Sequence, residues 1–269
     1  MRTDRDLAGR FLGLHRKGEP LLLANAWDVG TARLLASLGF AALATTSAGH
    51  AGTLGRRDGK VSRDEALAHA AALAAATALP VNADLENGYA DAPNEVAETI
   101  RLAGETGLAG ASIEDFSGDV EAPIYDADLA TARVEAAADA ARASGLVLTA
   151  RCENHLHGRQ DLADTIARLQ AYQAAGAQVV YAPGLSDAGE IRQLVAAVDV
   201  PVNVLCLPGG PTVPELAEAG VARISVGSAF FNVAMNALAE AAREWREEGT
   251  HGFWQGAIGG MAATRQAFE

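Results

Sequence analysis

Residues 79–115, LPVNADLENGYADAPNEVAETIRLAGETGLAGASIED, contain the pattern that decides the fold. The short apolar runs at 81–84 and 110–113 predict two buried strands, and the stretch 93–105 between them has the spacing of an amphipathic helix. Gly107 suits the left-handed residue that ends such a helix before the next strand. The segment therefore predicts a strand, a helix and a second strand, which is one α/β unit.

The same unit recurs along the chain at intervals of roughly 25 to 35 residues. Strands are predicted at Leu21–Ala24, Ala41–Thr45, Val81–Asp84, Gly110–Ile113, Val147–Ala150, Val179–Tyr181, Val202–Leu205 and Ile224–Val226. These units predict an α/β fold of the (β/α)8 TIM-barrel type, and a doubly wound sheet is the alternative because both share this local pattern. No internal linker interrupts the pattern, so residues 1–269 are expected to form a single barrel domain with a C-terminal helical extension from about residue 229.

Composition and charge narrow the classes of partner. The chain has 269 residues, of which 49% are hydrophobic, and its 21 Lys and Arg against 34 Asp and Glu give a net charge of −13. Such a surface argues against nucleic acid and anionic membranes as partners. The two cysteines lack zinc or disulfide spacing, and the apolar stretch 21–26 is too short to span a bilayer. We expect a cytoplasmic protein with no membrane partner.

Acidic residues cluster where predicted strands end. Asp84 and Glu86 lie where the third strand runs out, Glu114 follows the fourth, and Asp58 lies in a Gly-rich loop. Because strand ends of a barrel meet on one face, these carboxylates are expected to converge, and Mg²⁺ prefers a few carboxylate oxygens plus retained waters. The alternative for any one of these acids is that it caps the following helix. The set as a whole favours a metal site.

Five segments together resemble the isocitrate lyase and phosphoenolpyruvate mutase superfamily. They are NAWDVG at 25–30, TTSAGHAGTLGRRD at 45–58, DLENGY at 84–89, GASIED at 110–115 and ARCE at 150–153. The resemblance implies an α/β barrel, Mg²⁺ or Mn²⁺ as cofactor, and chemistry on small 2-oxo or dicarboxylic acids. It also implies a homo-dimer or homo-tetramer in which the last helix is exchanged between protomers.

The resemblance assigns roles to the charged residues. Asp84 matches the direct metal ligand, and Glu86, Glu114 and Asp58 match acids that hold the metal through its waters. Arg151 matches the arginine that grips a substrate carboxylate, for which a two-pronged guanidinium is chemically suited. The alternative for Arg151 is a structural ion pair with a neighbouring glutamate.

Several uncharged residues are further candidates for substrate binding. Thr45, Thr46 and Ser47 correspond to a Ser-Gly turn that binds a substrate carboxylate or carbonyl, and the alternative is an ordinary turn stabilised by hydroxyl groups. Trp27 could wall the pocket or belong to the core. Asn203, at the seventh strand, could contact substrate or satisfy a backbone group at the barrel rim.

Departures from the family pattern bear on the reaction. The loop 116–125, FSGDVEAPIY, lacks the Cys of isocitrate-type lyases and the Lys of phosphonate mutases, and the sixth strand ends in YAPG at 181–184 without the mutases' His. These absences argue against ordinary isocitrate lysis and phosphoryl migration. What remains is the half-site for a 2-oxo carboxylate.

The sequence thus predicts a Mg²⁺-dependent lyase or hydrolase that breaks a carbon–carbon bond of a small 2-oxo acid through a metal-stabilised enolate. Arg151, Glu114 and Tyr89 are the predicted catalytic residues, while Tyr125, Glu153 and His155 are further candidates for proton transfer. His155 is otherwise expected to be a solvent-exposed loop residue. The alternatives are a protein that binds a 2-oxo acid and Mg²⁺ without turnover, and an enzyme of phosphorus–carbon bond chemistry.

Overall fold

A computed structural model describes residues 4–268 of the chain, in which eight parallel strands close into a barrel. The strands are β1 Leu21–Ala26, β2 Leu43–Thr45, β3 Val81–Asp84, β4 Gly110–Glu114, β5 Val147–Arg151, β6 Val179–Tyr181, β7 Val202–Leu205 and β8 Arg223–Ser225. Each strand pairs with the next in chain order, and β8 pairs with β1 to close the ring. The predicted barrel is confirmed, and the doubly wound alternative is excluded.

Helices follow the strands and surround the barrel. They are α1 Asp4–Gly13, α2 Val29–Ser37, α3 Ser47–Thr53, α4 Arg63–Ala76, α5 Pro93–Ala103, α6 Ala127–Ser144, α7 Leu162–Ala174, α8 Ala188–Ala197, α9 Val213–Glu218, α10 Ala229–Arg243 and α11 Trp254–Phe268. A 3₁₀ turn at Gly104–Thr106 extends α5, and Gly107 after it adopts a φ of +79°. That left-handed conformation is the one its position predicts.

Two apolar layers hold the barrel together. The larger lies between the strands and the surrounding helices, with Ile113, Leu148 and Leu169 among its buried members. The smaller fills the amino-terminal end of the barrel, where Phe11 of α1 packs with residues that include Val147 and Val179. Because apolar side chains close this lower end, the polar side chains of the interior face the opposite end, where the strands finish.

The last two helices lie on the outside of the barrel. No side chain of α10 or α11 is buried in the described chain, and large apolar residues such as Val233, Leu238 and Ile258 are exposed. The helix α11 contacts α2 of the same chain. Exchange of the last helix between protomers stays a prediction. No helix among the described residues is long and apolar enough to cross a membrane.

Candidate active site

Arg151 is the centre of a charged cluster at the carboxyl ends of three neighbouring strands. Its Nη1 lies 2.9 Å from Asp84 Oδ1, its Nη2 lies 3.0 Å from Glu114 Oε2, and its Nε donates to Glu153 Oε1 at 2.8 Å. The register explains the contact with β4, because Glu114 and Arg151 are paired residues at the ends of β4 and β5. The ion pairs considered as the alternative role of Arg151 are thus present, and Asp84 adds a third.

Burial and charge shape the protonation of this cluster. Burial alone would lower the pKa of Arg151, but the carboxylates of Glu114, Glu153 and Asp84 outweigh it and raise that pKa well above its usual value. Burial raises the pKa of Glu114 well above its usual value, although Arg151 opposes the change. Three carboxyl groups therefore surround one guanidinium, and burial opposes a full negative charge on Glu114.

The turn after β2 holds Asp84 in place. The hydroxyl oxygen of Thr45 accepts a hydrogen bond from the Asp84 backbone N–H at 2.8 Å, and the Ser47 backbone N–H donates to Asp84 Oδ2 at 3.2 Å. Thr46 caps α3, because its hydroxyl oxygen accepts from the Gly49 N–H. The three predicted residues therefore support the acid and begin a helix, and Ser47 also faces the cavity described below.

The loop after β3 is strained beside the acids. Glu86 and Tyr89 have φ angles of +49° and +59°, which non-glycine residues rarely adopt. The Tyr89 hydroxyl donates to Glu86 Oε1 at 3.3 Å. Burial, with the nearby charges of Asp84 and Asp58, raises the pKa of Glu86 to about 7. Burial likewise raises the pKa of Tyr89, with Glu86 as the next cause.

A second arginine, which the sequence analysis did not identify, supports this strained loop. Arg133 of α6 donates to the carbonyl oxygens of Asn87 and Ala90, and its guanidinium lies 4.0 Å from the centre of the Tyr125 ring. The Tyr125 hydroxyl donates to the Asp91 carboxylate. Nothing in the local sequence marks a mid-helix arginine as the support of a loop more than forty residues earlier.

A cavity of about 180 Å³ opens at this end of the barrel and extends into its interior. It brings together most of the predicted substrate-binding residues with two of the predicted metal-binding acids, one at the end of β3 and one in the loop after α3. The predicted residues that line it are Thr45, Thr46, Ser47, Asp58, Asp84, Arg151 and Asn203. Glu86 and Tyr89 line a smaller adjoining cavity that shares Asp84 and Ser47 with the first.

Other candidates lie away from the cavity. Glu114 is covered by Arg151, and Trp27 packs edge-on against Phe231 of α10, with 5.6 Å between ring centres. His155 is only 8% exposed and its Nδ1 contacts Gln160, so the expectation of a solvent-exposed loop histidine was wrong. The loop folds back so that the His155 ring is enclosed.

The donor set can be compared with the needs of a divalent ion. Within the part of the chain that the structure describes, no three His, Cys, Asp or Glu side chains stand together as ligands of one metal. Magnesium often takes one or two carboxylates and keeps several waters, so a convergent protein cage is not required. The oxygen donors of Asp84, Glu86, Glu114 and Asp58 suit a hydrated divalent cation. Burial is the main cause of the raised pKa of Glu86, and the negative charges of Asp84 and Asp58 add to it.

The arrangement defines a class of protein: a (β/α)8 barrel with acids and an arginine around a cavity at the carboxyl ends of its strands. A family model described as phosphoenolpyruvate phosphomutase matches residues 11–246. The chain belongs to this family, in the phosphoenolpyruvate mutase and isocitrate lyase superfamily, as its sequence motifs predicted.

Relatives with names indicate the range of reactions. An oxaloacetate decarboxylase of Chromohalobacter salexigens is 28% identical, over 91% of this chain and 87% of its own. A crystal structure of 2,3-dimethylmalate lyase, 27% identical, has a TM-score of 0.83 and covers 94% of this chain and 90% of its own. A Burkholderia cenocepacia J2315 protein provisionally assigned as a lyase or mutase is 52% identical, with a TM-score of 0.92 and coverage of 97% and 95%.

Proposed function

We propose that this protein is a Mg²⁺-dependent enzyme that breaks a carbon–carbon bond of a small 2-oxo acid. The observation that carries the proposal is the cavity in which Arg151, Asp84 and the Thr45–Ser47 turn meet. The names of two relatives, an oxaloacetate decarboxylase and a dimethylmalate lyase, support carbon–carbon cleavage. The absence of Lys from the loop 116–125 and of His from YAPG at 181–184 argues against phosphorus–carbon chemistry.

The acids of the site are assigned to the metal ion, and Arg151 is assigned to the substrate carboxylate. Asp84 would hold the divalent ion directly, with Glu86, Glu114 and Asp58 reaching it through waters. The ion, when bound, supplies Lewis-acid polarisation of the 2-oxo group. Arg151 orients the substrate carboxylate. Its three ion pairs with Asp84, Glu114 and Glu153 hold the guanidinium in position before the substrate binds.

Asn203 and Ser47 face the same cavity and can donate hydrogen bonds to substrate oxygens. Trp27, against Phe231, supports the rim of the site from outside rather than walling it.

Proton transfer is assigned to Tyr89 with Glu86. The Tyr89 hydroxyl donates to Glu86 Oε1, so Glu86 can accept the phenol proton when the phenol oxygen takes a proton from the substrate. In the protein without a bound cation, burial raises the pKa of Glu86 to about 7, close to neutral pH, which suits a group that accepts a proton. Glu114 acts through Arg151, whose position it fixes.

The experiment that tests the proposal is turnover of oxaloacetate and 2,3-dimethylmalate by the purified protein, with Mg²⁺ and after removal of Mg²⁺ by EDTA. Product formation that requires Mg²⁺ and is lost in Asp84→Asn supports it. Glu86→Gln should lower kcat by about 10- to 100-fold, as loss of outer-shell groups does. Glu135→Gln, on the exposed face of α6, is the matched control and should not change the rate.

A binding protein without turnover is the second candidate, because the loop 116–125, FSGDVEAPIY, contains no Cys, Lys or His to serve as the acid or base. Mg²⁺-dependent stabilisation by pyruvate or oxaloacetate, measured by thermal unfolding, without product from either tested substrate would favour this candidate. Rapid Mg²⁺-dependent turnover would exclude it.

We also propose that residues 1–269 form one barrel domain with a helical extension from about residue 229, working in the cytoplasm as a homo-dimer or homo-tetramer. The exposed apolar side chains of α10 and α11, such as Leu238, Trp254 and Ile258, support association because monomers rarely expose such patches. Light scattering after size exclusion tests the oligomer, and Leu238→Glu should shift it toward the monomer.

A further inference from the structure

Tyr181 ends β6 and lines the cavity, although its position in the sequence assigned it no role. It is 8% exposed, and it is the residue paired with Arg151 on β5 and with Asn203 on β7. The guanidinium carbon of Arg151 lies 5.4 Å from the centre of the Tyr181 ring. The phenol therefore lies beside the group that is assigned to the substrate carboxylate.

The Tyr181 hydroxyl is the end point of a short chain of hydrogen bonds. Asn203 Nδ2 donates to Ser225 Oγ at 3.0 Å, and the Ser225 hydroxyl donates to the phenol oxygen over a long contact of 3.5 Å. Among the described residues, no protein oxygen or nitrogen accepts the phenol proton. Since the phenol oxygen receives a hydrogen bond and gives none to the protein, its O–H group is free to donate to a ligand in the cavity.

A second buried arginine, Arg223 of β8, lines the same cavity and has neutral partners. Its Nη2 donates to the Thr149 hydroxyl at 3.1 Å, and its Nη1 lies 3.3 Å from His15 Nε2. His15 Nδ1 donates to the Phe11 carbonyl oxygen at 2.9 Å, so Nε2 is left as the acceptor for Arg223. Burial and then the charge of Arg223 lower the pKa of His15 to about 3, which keeps that ring neutral.

The charges around Tyr181 suit a group that holds a proton and then releases it. Burial raises the pKa of Tyr181 to about 12, so the phenol is protonated at neutral pH. The charge of Arg151 and the hydrogen bond from Ser225 oppose that rise, as does the charge of Arg223, whereas Glu153 adds to it. Two cations and one hydrogen bond therefore stabilise the phenolate once the proton has left.

Few other groups in the cavity can supply a proton. Its lining residues in the described chain include no His, Cys, Lys or Glu, and the side chains of a type that commonly acts as a general acid are Asp58, Asp84 and Tyr181. The proposed function assigns both aspartates to the divalent cation, and Tyr89 lines the adjoining cavity instead. Tyr181 is the acid that remains in the main cavity.

We infer that Tyr181 is a catalytic residue, the acid that protonates the enolate left by carbon–carbon cleavage; this role rests on the proposed function. When the bond to C3 of the 2-oxo acid breaks, its electron pair stays behind as the enolate. The phenol O–H bond then breaks, a C–H bond forms at C3, and the phenolate recovers a proton from water. Tyr89 and Glu86 keep the separate task of accepting a proton from the substrate.

The test isolates proton transfer at C3 from bond cleavage. Incorporation of deuterium from D₂O into the methyl group of pyruvate, with Mg²⁺ present, is followed by NMR, because the phenolate must remove the same proton in the reverse direction. The native protein should exchange the methyl protons. Tyr181→Phe should slow the exchange by about 100-fold or more, as loss of a general acid or base does. It should leave the Kd of pyruvate from titration calorimetry unchanged, because the ring beside Arg151 is retained.

Two further variants separate a chemical role from a structural one. Ser225→Ala, which removes the hydrogen bond to the phenol oxygen, should slow exchange by about 3- to 10-fold, the value of one hydrogen bond. Tyr172→Phe is the matched control. It removes the hydroxyl of another buried tyrosine, which donates to Asp115 from α7 and does not line the cavity, and it should keep the native exchange rate.

Exchange by Tyr181→Phe at the native rate would overturn the inference, and so would a loss of exchange matched by an equal loss of pyruvate binding. Absence of exchange in the native protein would also overturn it. Turnover of oxaloacetate by the same sample then shows whether the proposed function survives without Tyr181. If the native protein neither binds pyruvate with Mg²⁺ nor turns over oxaloacetate, the proposed function fails and the role of Tyr181 fails with it.

Discussion

Two buried arginines inside one barrel show opposite ways of keeping a charge away from water. Arg151, at the carboxyl ends of the strands, contacts Asp84, Glu114 and Glu153, whereas Arg223, deeper in the interior, contacts a hydroxyl and an imidazole. The first guanidinium has three carboxyl partners, and the second has none within 4.0 Å among the described side chains. The proposed divalent cation belongs with the carboxyl groups of the first region, whereas neutral hydrogen-bond partners surround the charge of the second.

Substitution of Arg151 is expected to have the largest effect on the free energy of unfolding. Arg151→Met leaves Asp84, Glu114 and Glu153 without a counter-charge, and removal of one partner from a buried charge network costs about 3–5 kcal/mol of the free energy of unfolding. Chemical denaturation at pH 7 measures this loss. Arg101→Met, which breaks exposed ion pairs with Glu98 and Glu105, is the control and should change little. Equal effects of the two variants would show that the buried network contributes nothing special.

The same substitution at Arg223 should lower the free energy of unfolding by less. Arg223→Met loses hydrogen bonds to Thr149 and His15 but removes an unpaired charge, so we expect a loss of about 1–3 kcal/mol in the free energy of unfolding. The same denaturation experiment, run beside Arg151→Met, measures the difference. A loss as large as that of Arg151→Met would mean that Arg223 is neutralised in solution by a bound anion, and added chloride or malonate would then stabilise only the native protein.

His15, which contacts Arg223, makes the free energy of unfolding depend on pH. Its pKa is lowered to about 3 in the fold, against an ordinary value of 6.5, so the unfolded chain takes up the proton first as the pH falls. The neutral His15 ring makes its full contribution to the free energy of unfolding above pH 6.5. As the pH falls from 6.5 toward 3, that free energy decreases by about 1.4 kcal/mol for each pH unit. Unfolding free energies of the native protein and His15→Gln between pH 7 and pH 5 should converge. Parallel pH profiles would contradict a neutral His15.

The sequence predicted the two regions unequally. Strand and helix positions follow from local periodicity, so the predicted sixth and seventh strands agree with β6 and β7 residue for residue. The acids and Arg151 were found because they follow strands. Arg223 and Arg133 were missed, since the role of each depends on contacts with distant segments: Arg223 with Thr149 across the barrel, and Arg133 with the loop after β3.

The smallest expected effect concerns the loop that carries Glu86. Tyr125→Phe removes the hydroxyl that binds Asp91 and accepts from Asn87, which should cost about 1 kcal/mol in the free energy of unfolding. Because that hydroxyl helps hold a loop with positive φ at Glu86, kcat should fall more than stability alone explains.

Thr106→Val is the control for Tyr125→Phe, since it loses one hydroxyl contact, to the Ala103 carbonyl, ahead of β4 at the end of the barrel opposite the site. It should cost a similar free energy and leave kcat unchanged. Equal kcat in both variants would mean that the loop keeps its conformation without Tyr125. The support would then come from Arg133 alone, whose two hydrogen bonds to the Asn87 and Ala90 carbonyls do not involve the hydroxyl.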